Sequence, residues 1–156
     1  MKIEIGQPAP GFSLYDTDKN PVNLGDQKGK NVLLLFFPLA FTKTCTEELC
    51  HVRDHISWYN NVDATVFGIS VDALHTLKRY KEDQQLNFTL LSDFNKDVSR
   101  LYDTIYEMFG YNMKGVSKRS AFVIDKEGIV RYAEVMENAS EIPDFNAIHD
   151  VLSRLN

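Results

Sequence analysis

Apolar residues fall along this chain in two different rhythms. "NVLLLFF" (31–37) is almost unbroken hydrocarbon, which predicts a strand buried on both faces. "ATVFGISVD" (64–72) and "FTLLSD" (88–93) read as two more such strands. Between and around them the spacing changes to three or four. "TCTEELCHVRDHISWYNN" (44–61) predicts a helix with Leu49, Val52, Ile56 and Tyr59 on one side. "LHTLKRYKEDQQL" (74–86) predicts an amphipathic helix carrying Leu74, Leu77 and Tyr80, and "KDVSRLYDTI" (96–105) a short one. At the front, "GQPAPGFSL" is an irregular entry, and "FSLYDTDKNPVNL" predicts two short strands around an Asp-Lys-Asn-Pro turn. "SAFVIDKEGIVRYAEV" (120–135) predicts a hairpin turning at Asp125 to Gly128. "IPDFNAIHDVLSRL" (142–155) closes as a helix with Pro143 near its first turn. The order predicts an α/β fold, a mixed sheet with helices on both faces, as one domain over residues 1–156.

Composition narrows the function. Apolar residues make up 44% and charged residues 25% of the 156, ordinary for a globular chain. The net charge of −5, with no basic run, gives no electrostatic reason to bind nucleic acid or an anionic membrane. "MKIEIGQPAP" lacks an apolar signal-peptide core, and the longest apolar run, Val32 to Phe37, is too short to span a bilayer. The expected location is cytoplasmic. Two cysteines, Cys45 and Cys50, are too few for a secreted disulfide scaffold. In a reducing compartment a close pair points to redox chemistry or metal.

The pair lies where a buried strand feeds a helix, the place where sites form in such sheets. Thr44-Cys45-Thr46-Glu47 matches a capping box, which would put Cys45 at the first helical position; a start at Thr42 would put it three residues in. Either way the sulfur meets unpaired backbone N–H groups and the positive end of the helix dipole, which favour thiolate. Glu47 and Glu48 oppose that, so a cation is needed. Cys50 is five residues on. In a continuous helix that spacing means about 140° around the axis and roughly 8.5 Å between Cα atoms, whereas a disulfide needs less than about 7 Å. The two can bond only if the first turns unwind; otherwise Cys50 is a core thiol beside Leu49. His51 and His55 are an i, i+4 pair, but the cysteine spacing does not fit a zinc site, and no metal is expected; the histidines read as surface or partly packed. "YEMFGYNMKGVSKRS" (106–120) reads either as a loop over the core or as the rim of a site or an oligomer contact.

These residues carry a resemblance. "PLAFTKTC" resembles the peroxiredoxin signature Pro-x-x-x-Thr/Ser-x-x-Cys, through Pro38, Thr42 and Cys45. "GQPAPGFSLYDTDKNPVNL", "VFGISVD" and "KRSAFVIDKEGIVRY" are similar to further family segments, and a cysteine five residues on resembles the bacterioferritin-comigratory, or PrxQ, subgroup. Lys43-Thr44 stands where that subgroup often has Pro-Gly. The resemblance implies a thioredoxin-like fold with an N-terminal β-hairpin extension and a thiol peroxidase that needs no metal, flavin or haem. It implies that Cys45 attacks hydrogen peroxide or an organic hydroperoxide and becomes a sulfenic acid. Thr42 would hydrogen-bond peroxide and thiolate, Arg119 would supply the cation, Glu48 would orient Arg119, and Pro38 would shield the sulfur. Cys50 would resolve the sulfenic acid as a disulfide, which thioredoxin or a similar dithiol reduces. Each residue also has a plainer reading: Thr42 as helix cap, Pro38 as strand end, Glu48 as helix-start residue, Arg119 as part of a solvated basic loop. A one-cysteine peroxidase served by an external thiol, and a non-enzymatic peroxide sensor relaying disulfides, are the alternatives. The absence of Cys-x-x-Cys speaks against a thioredoxin-like reductase. The expected state is a monomer, or a homodimer with contacts around Leu39 to Phe41.

Overall fold

The structure is a computed structural model describing residues 2–155. Its centre is β3 (Asn31–Phe36), every residue of which is buried. Side chains alternate between faces of a strand. Leu33, Leu35 and the following Phe37 therefore enter one core with Leu49, Leu77 and Ile148, while Val32, Leu34 and Phe36 enter a second with Ile69, Tyr102 and Phe122. This is why the run has no polar break.

β3 pairs in parallel with β4 (Ala64–Ser70), and β4 in parallel with β5 (Thr89–Ser92). On its other side β3 pairs antiparallel with β8 (Ser120–Ile124), which turns through Asp125 to Gly128 into β9 (Val130–Val135). Gly128 sits at φ +87 and donates to the Asp125 carbonyl, so the turn needs its left-handed backbone. The N-terminal hairpin, β1 (Ser13–Asp16) and β2 (Pro21–Asn23), joins the sheet beside β5, giving the order β2-β1-β5-β4-β3-β8-β9. A second, two-stranded sheet, β6 (Ile105–Tyr106) with β7 (Val116–Ser117), brackets the loop whose tip exposes Tyr111 fully. The periodicity of the sequence did not predict these two-residue strands, which are too short to carry a pattern.

Parallel strands need crossovers, and helices supply them. α1 (Lys43–Asp54) and α2 (Ile56–Asn61) link β3 to β4, α3 (Leu74–Asp83) links β4 to β5, and α5 (Phe145–Arg154) ends the chain. Cys45, Tyr59, Tyr80 and Leu152 from these four helices share the first core. α4 (Asp97–Leu101) packs Val98 into the second. Two expectations change. The single helix predicted over 44–61 is broken at His55, whose φ/ψ leave the helical range. In α5 the N-cap is Asp144, accepting from the Ala147 N–H, so Pro143 precedes the helix. No helix among the described residues is long and apolar enough to cross a membrane.

Candidate active site

After Phe37 the chain makes a tight turn, Pro38 to Thr42, and enters α1. The turn is held from outside: Asp72, just beyond β4, accepts the Ala40 N–H at 2.8 Å and the Ser70 hydroxyl at 2.6 Å through one carboxylate oxygen. Within it Phe41 has φ +66, a left-handed conformation that costs a bulky side chain about 1–2 kcal/mol. Such strain persists only where the surroundings over-determine it, and here Phe41 lies on the Tyr80 ring with centroids 5.0 Å apart.

α1 starts at Lys43 with Thr42 as N-cap, so the capping box read at Thr44 is not used. Cys45 becomes the third helical residue. The Thr42 side chain makes no cap hydrogen bond; its hydroxyl donates to the Leu39 carbonyl at 2.7 Å. That bond uses its one proton, so Thr42 does not donate to the sulfur as expected. The Thr46 hydroxyl donates to the Thr42 carbonyl at 2.8 Å. The first amides of α1 have no intrahelical acceptor and point toward the turn.

The cation arrives from the far end of the sequence. Because β8 runs antiparallel to β3 with Ser120 opposite Phe36, residue 119 lands beside the carboxyl end of β3. Arg119 is only 2% exposed, and each guanidinium nitrogen has a partner. Nη2 donates to Cys45 Sγ at 3.3 Å, Nη1 to Glu48 Oε1 at 2.6 Å, and Nε to the Ala139 carbonyl at 2.9 Å. This is no solvated basic loop. Burial works against the guanidinium charge, but Glu48 and Cys45 outweigh it and push the Arg119 pKa up. Glu48 is fully buried. Burial pushes its carboxyl up to about 7 against the pull of Arg119, and its second oxygen has no hydrogen-bond partner. Glu47, by contrast, is exposed.

Cys45 is 1% exposed, yet its sulfur sits against the guanidinium rather than in hydrocarbon alone. Both cysteines are free thiols. Cys50 lies further along the unbroken α1, half-buried, its sulfur 3.6 Å from Gln84 Oε1. Pro38 is buried at the head of the turn. The loop of 106–116 packs Phe109 near Leu39, Val71 and Tyr106.

The sequence profile of the AhpC/TSA family matches residues 5–133. The chain belongs to this family. As a peroxiredoxin it is an oxidoreductase, a peroxidase that works through a thiol. It is 38% identical to alkyl hydroperoxide reductase E of Mycobacterium tuberculosis over 156 residues, 98% of each chain. It is 38% identical to peroxiredoxin Bcp of Bacillus subtilis over 130 residues, 82% of each. Among solved structures it superposes on peroxidoxin BcpB from M. tuberculosis with a TM-score of 0.86, at 27% identity and 99% coverage of both chains. The thioredoxin-like fold of the peroxiredoxins is thus the fold found here.

Of the six residues singled out in the sequence, this peroxiredoxin brings Cys45, Glu48 and Arg119 into direct contact. Pro38 and Thr42 bound the turn above them, and Cys50 lies apart. His51 is half-buried with its ring 4.5 Å from that of Phe145, and exposed His55 lies beside it with ring centroids 4.4 Å apart, so one is partly packed and the other at the surface. Among the described residues no group of three or more His, Cys, Asp or Glu is arranged to hold a metal ion. Asp72 was missed. The available signal was a Ser-x-Asp at the carboxyl end of a buried strand, where hydrocarbon would have continued the strand.

Proposed function

We propose that the chain, acting as one unit over residues 1–156, reduces hydrogen peroxide and organic hydroperoxides at Cys45. The observation that carries this reading is the guanidinium of Arg119 at 3.3 Å from the sulfur. A buried positive charge there stabilises the thiolate and, as the O–O bond breaks, the negative charge growing on oxygen. The thiolate's electron pair forms an S–O bond with one peroxide oxygen. The other oxygen leaves as alkoxide or hydroxide and takes a proton, giving alcohol or water, and Cys45 becomes a sulfenic acid. Thr42, its proton engaged with Leu39, accepts a hydrogen bond from the peroxide O–H. Glu48 holds Arg119 in place, and buried Pro38 keeps water from the sulfur.

Cys50 then condenses with the sulfenic acid. An S–S bond forms, water leaves, and thioredoxin or a similar dithiol reduces the bridge by exchange. For this the first turns of α1 must unwind. The intact α1, with Cys50 held at Gln84, favours a second reading in which an external thiol attacks Cys45 directly. Intact mass after one equivalent of peroxide separates the two. A loss of two hydrogens from the monomer means an internal bridge, and a gain of one oxygen means no resolving partner. Cys45→Ser is expected to abolish turnover, and an undiminished rate in that variant would sink the whole reading.

A further inference from the structure

α1 and α3 cross over the same face of the sheet between parallel strands, so they run side by side in one direction. Their polar contacts keep a constant register. Thr46 meets Tyr80, Cys50 meets Gln84, and Arg53 meets Asn87, each pair 34 residues apart. The Tyr80 hydroxyl lies 2.9 Å from the Thr46 hydroxyl, and the Asn87 amide donates to the Arg53 carbonyl at 3.2 Å. Arg53 Nη1 also donates to the Gln84 carbonyl at 2.7 Å. α3, its C-cap Gln84 and the following Asn87 thus grip α1 next to each of its two thiols and again one turn beyond.

The Thr46–Tyr80 contact is the one that bears on opening. Thr46 commits its proton to the Thr42 carbonyl, so Tyr80 is the donor and Thr46 the acceptor. Tyr80 is fully buried, with Phe37 and Phe41 against its ring. When the first turn of α1 unwinds, Thr46 withdraws and the phenol is left in an apolar pocket without its acceptor. That penalty falls on the open state alone.

We propose that α3 is a latch on the helix that carries both thiols, with Tyr80 as its catch and Gln84 holding Cys50. Tyr80 is a positioning residue acting through Thr46. It sets how often the first turn opens, and hence how an oxidised Cys45 divides between closing on Cys50, with loss of water, and accepting a second oxygen from another peroxide. The inference rests on Cys50 being the resolving thiol.

Tyr80→Phe removes the hydroxyl and keeps the ring on which Phe41 lies. Two readouts test it. Amide hydrogen exchange across 43–50 in the reduced protein reports opening with no peroxide present; the variant should exchange about two- to tenfold faster, the span of one hydrogen bond. Intact mass over a peroxide series reports the outcome; the ratio of internal disulfide to overoxidised Cys45 should rise by a similar factor. Unchanged exchange in 43–50 overturns the latch, whatever Cys50 does. Faster exchange with an unchanged product ratio overturns its control of resolution. A wild-type protein that forms no internal bridge fails through Cys50, not through Tyr80, and takes the timing role with it. Should Tyr80→Phe not fold, Thr46→Val removes the contact from the other side together with the Thr46–Thr42 bond, so exchange across 43–50 should rise at least as much, and unchanged exchange there overturns the latch.

Discussion

Glu48→Gln replaces a fully buried carboxyl by an amide of the same shape and leaves Arg119 an oxygen to donate to. Its effect follows from the sign of the Glu48 shift. Burial raises the carboxyl from 4.5 to about 7 although Arg119 pulls it down. Between those values the native protein holds a proton that the unfolded chain has released. Stability from this group is therefore fully present below about pH 4.5, drains away as pH rises, and is gone above about 7. At about 1.4 kcal/mol per pH unit, the whole span is roughly 3 kcal/mol. Glutamine has no such dependence, so the variant's stability relative to wild type should climb by roughly that amount across the window. His51 and His149, whose pKa values burial lowers, give the opposite slope, but they are present in both proteins and cancel in the difference. Urea unfolding of the reduced proteins at about pH 5, 6, 7 and 8 measures it. Stability curves that run parallel across that range would show that Glu48 does not titrate in this window and would refute the reasoning.

Arg119→Met should slow the sulfenic acid step by about 10²–10³-fold, as loss of a donor to a developing anion does, measured by competition for limiting peroxide. It should also cost about 3–5 kcal/mol in urea unfolding, because Glu48 is left buried without its partner at 2.6 Å; adding Glu48→Gln should recover much of the stability and none of the rate. Asp72→Ala removes the acceptor of the Ala40 N–H and the Ser70 hydroxyl. It should cost about 1–3 kcal/mol and slow the same step about tenfold as the Pro38–Thr42 turn drifts; an unaltered rate would show that the turn is held elsewhere.

What could be read in the sequence was what short-range pattern carries. β3 announced itself because Val32 to Phe37 meet an apolar core on each face with no polar residue among them, and Leu77 and Tyr80 did because one face of α3 is buried. The start of α1 was not readable. Thr42 and Thr44 both precede acceptable first turns, and the choice is made by the turn that Asp72 pins and Phe41 strains, contacts that lie more than thirty residues away or in φ/ψ space. Arg119 shows the same limit. Its neighbours Lys118 and Ser120 give no hint of burial, and only the antiparallel register of β8 on β3 carries it inside. The resemblance named it where periodicity did not. Glu47 and Glu48 looked alike as helix-start acids, but their neighbouring positions on α1 put one in water and the other in the core.

The same register has a consequence for charge. One guanidinium faces two groups that can be anionic, Cys45 and Glu48, in a place closed to solvent. With Glu48 protonated the thiolate and Arg119 form a neutral pair. With Glu48 ionised the cluster carries a net negative charge that nothing else among its hydrogen-bond partners offsets. Burial holds the Glu48 carboxyl toward its neutral form, which leaves more of the guanidinium charge to the sulfur. In the proposed reaction, oxidation of Cys45 to a neutral sulfenic acid would remove one claimant and leave the guanidinium to Glu48. On that proposal, the carboxyl that burial makes costly to ionise would become the partner of Arg119 after the reaction, and the pair at 2.6 Å would keep Arg119 in position for the next cycle.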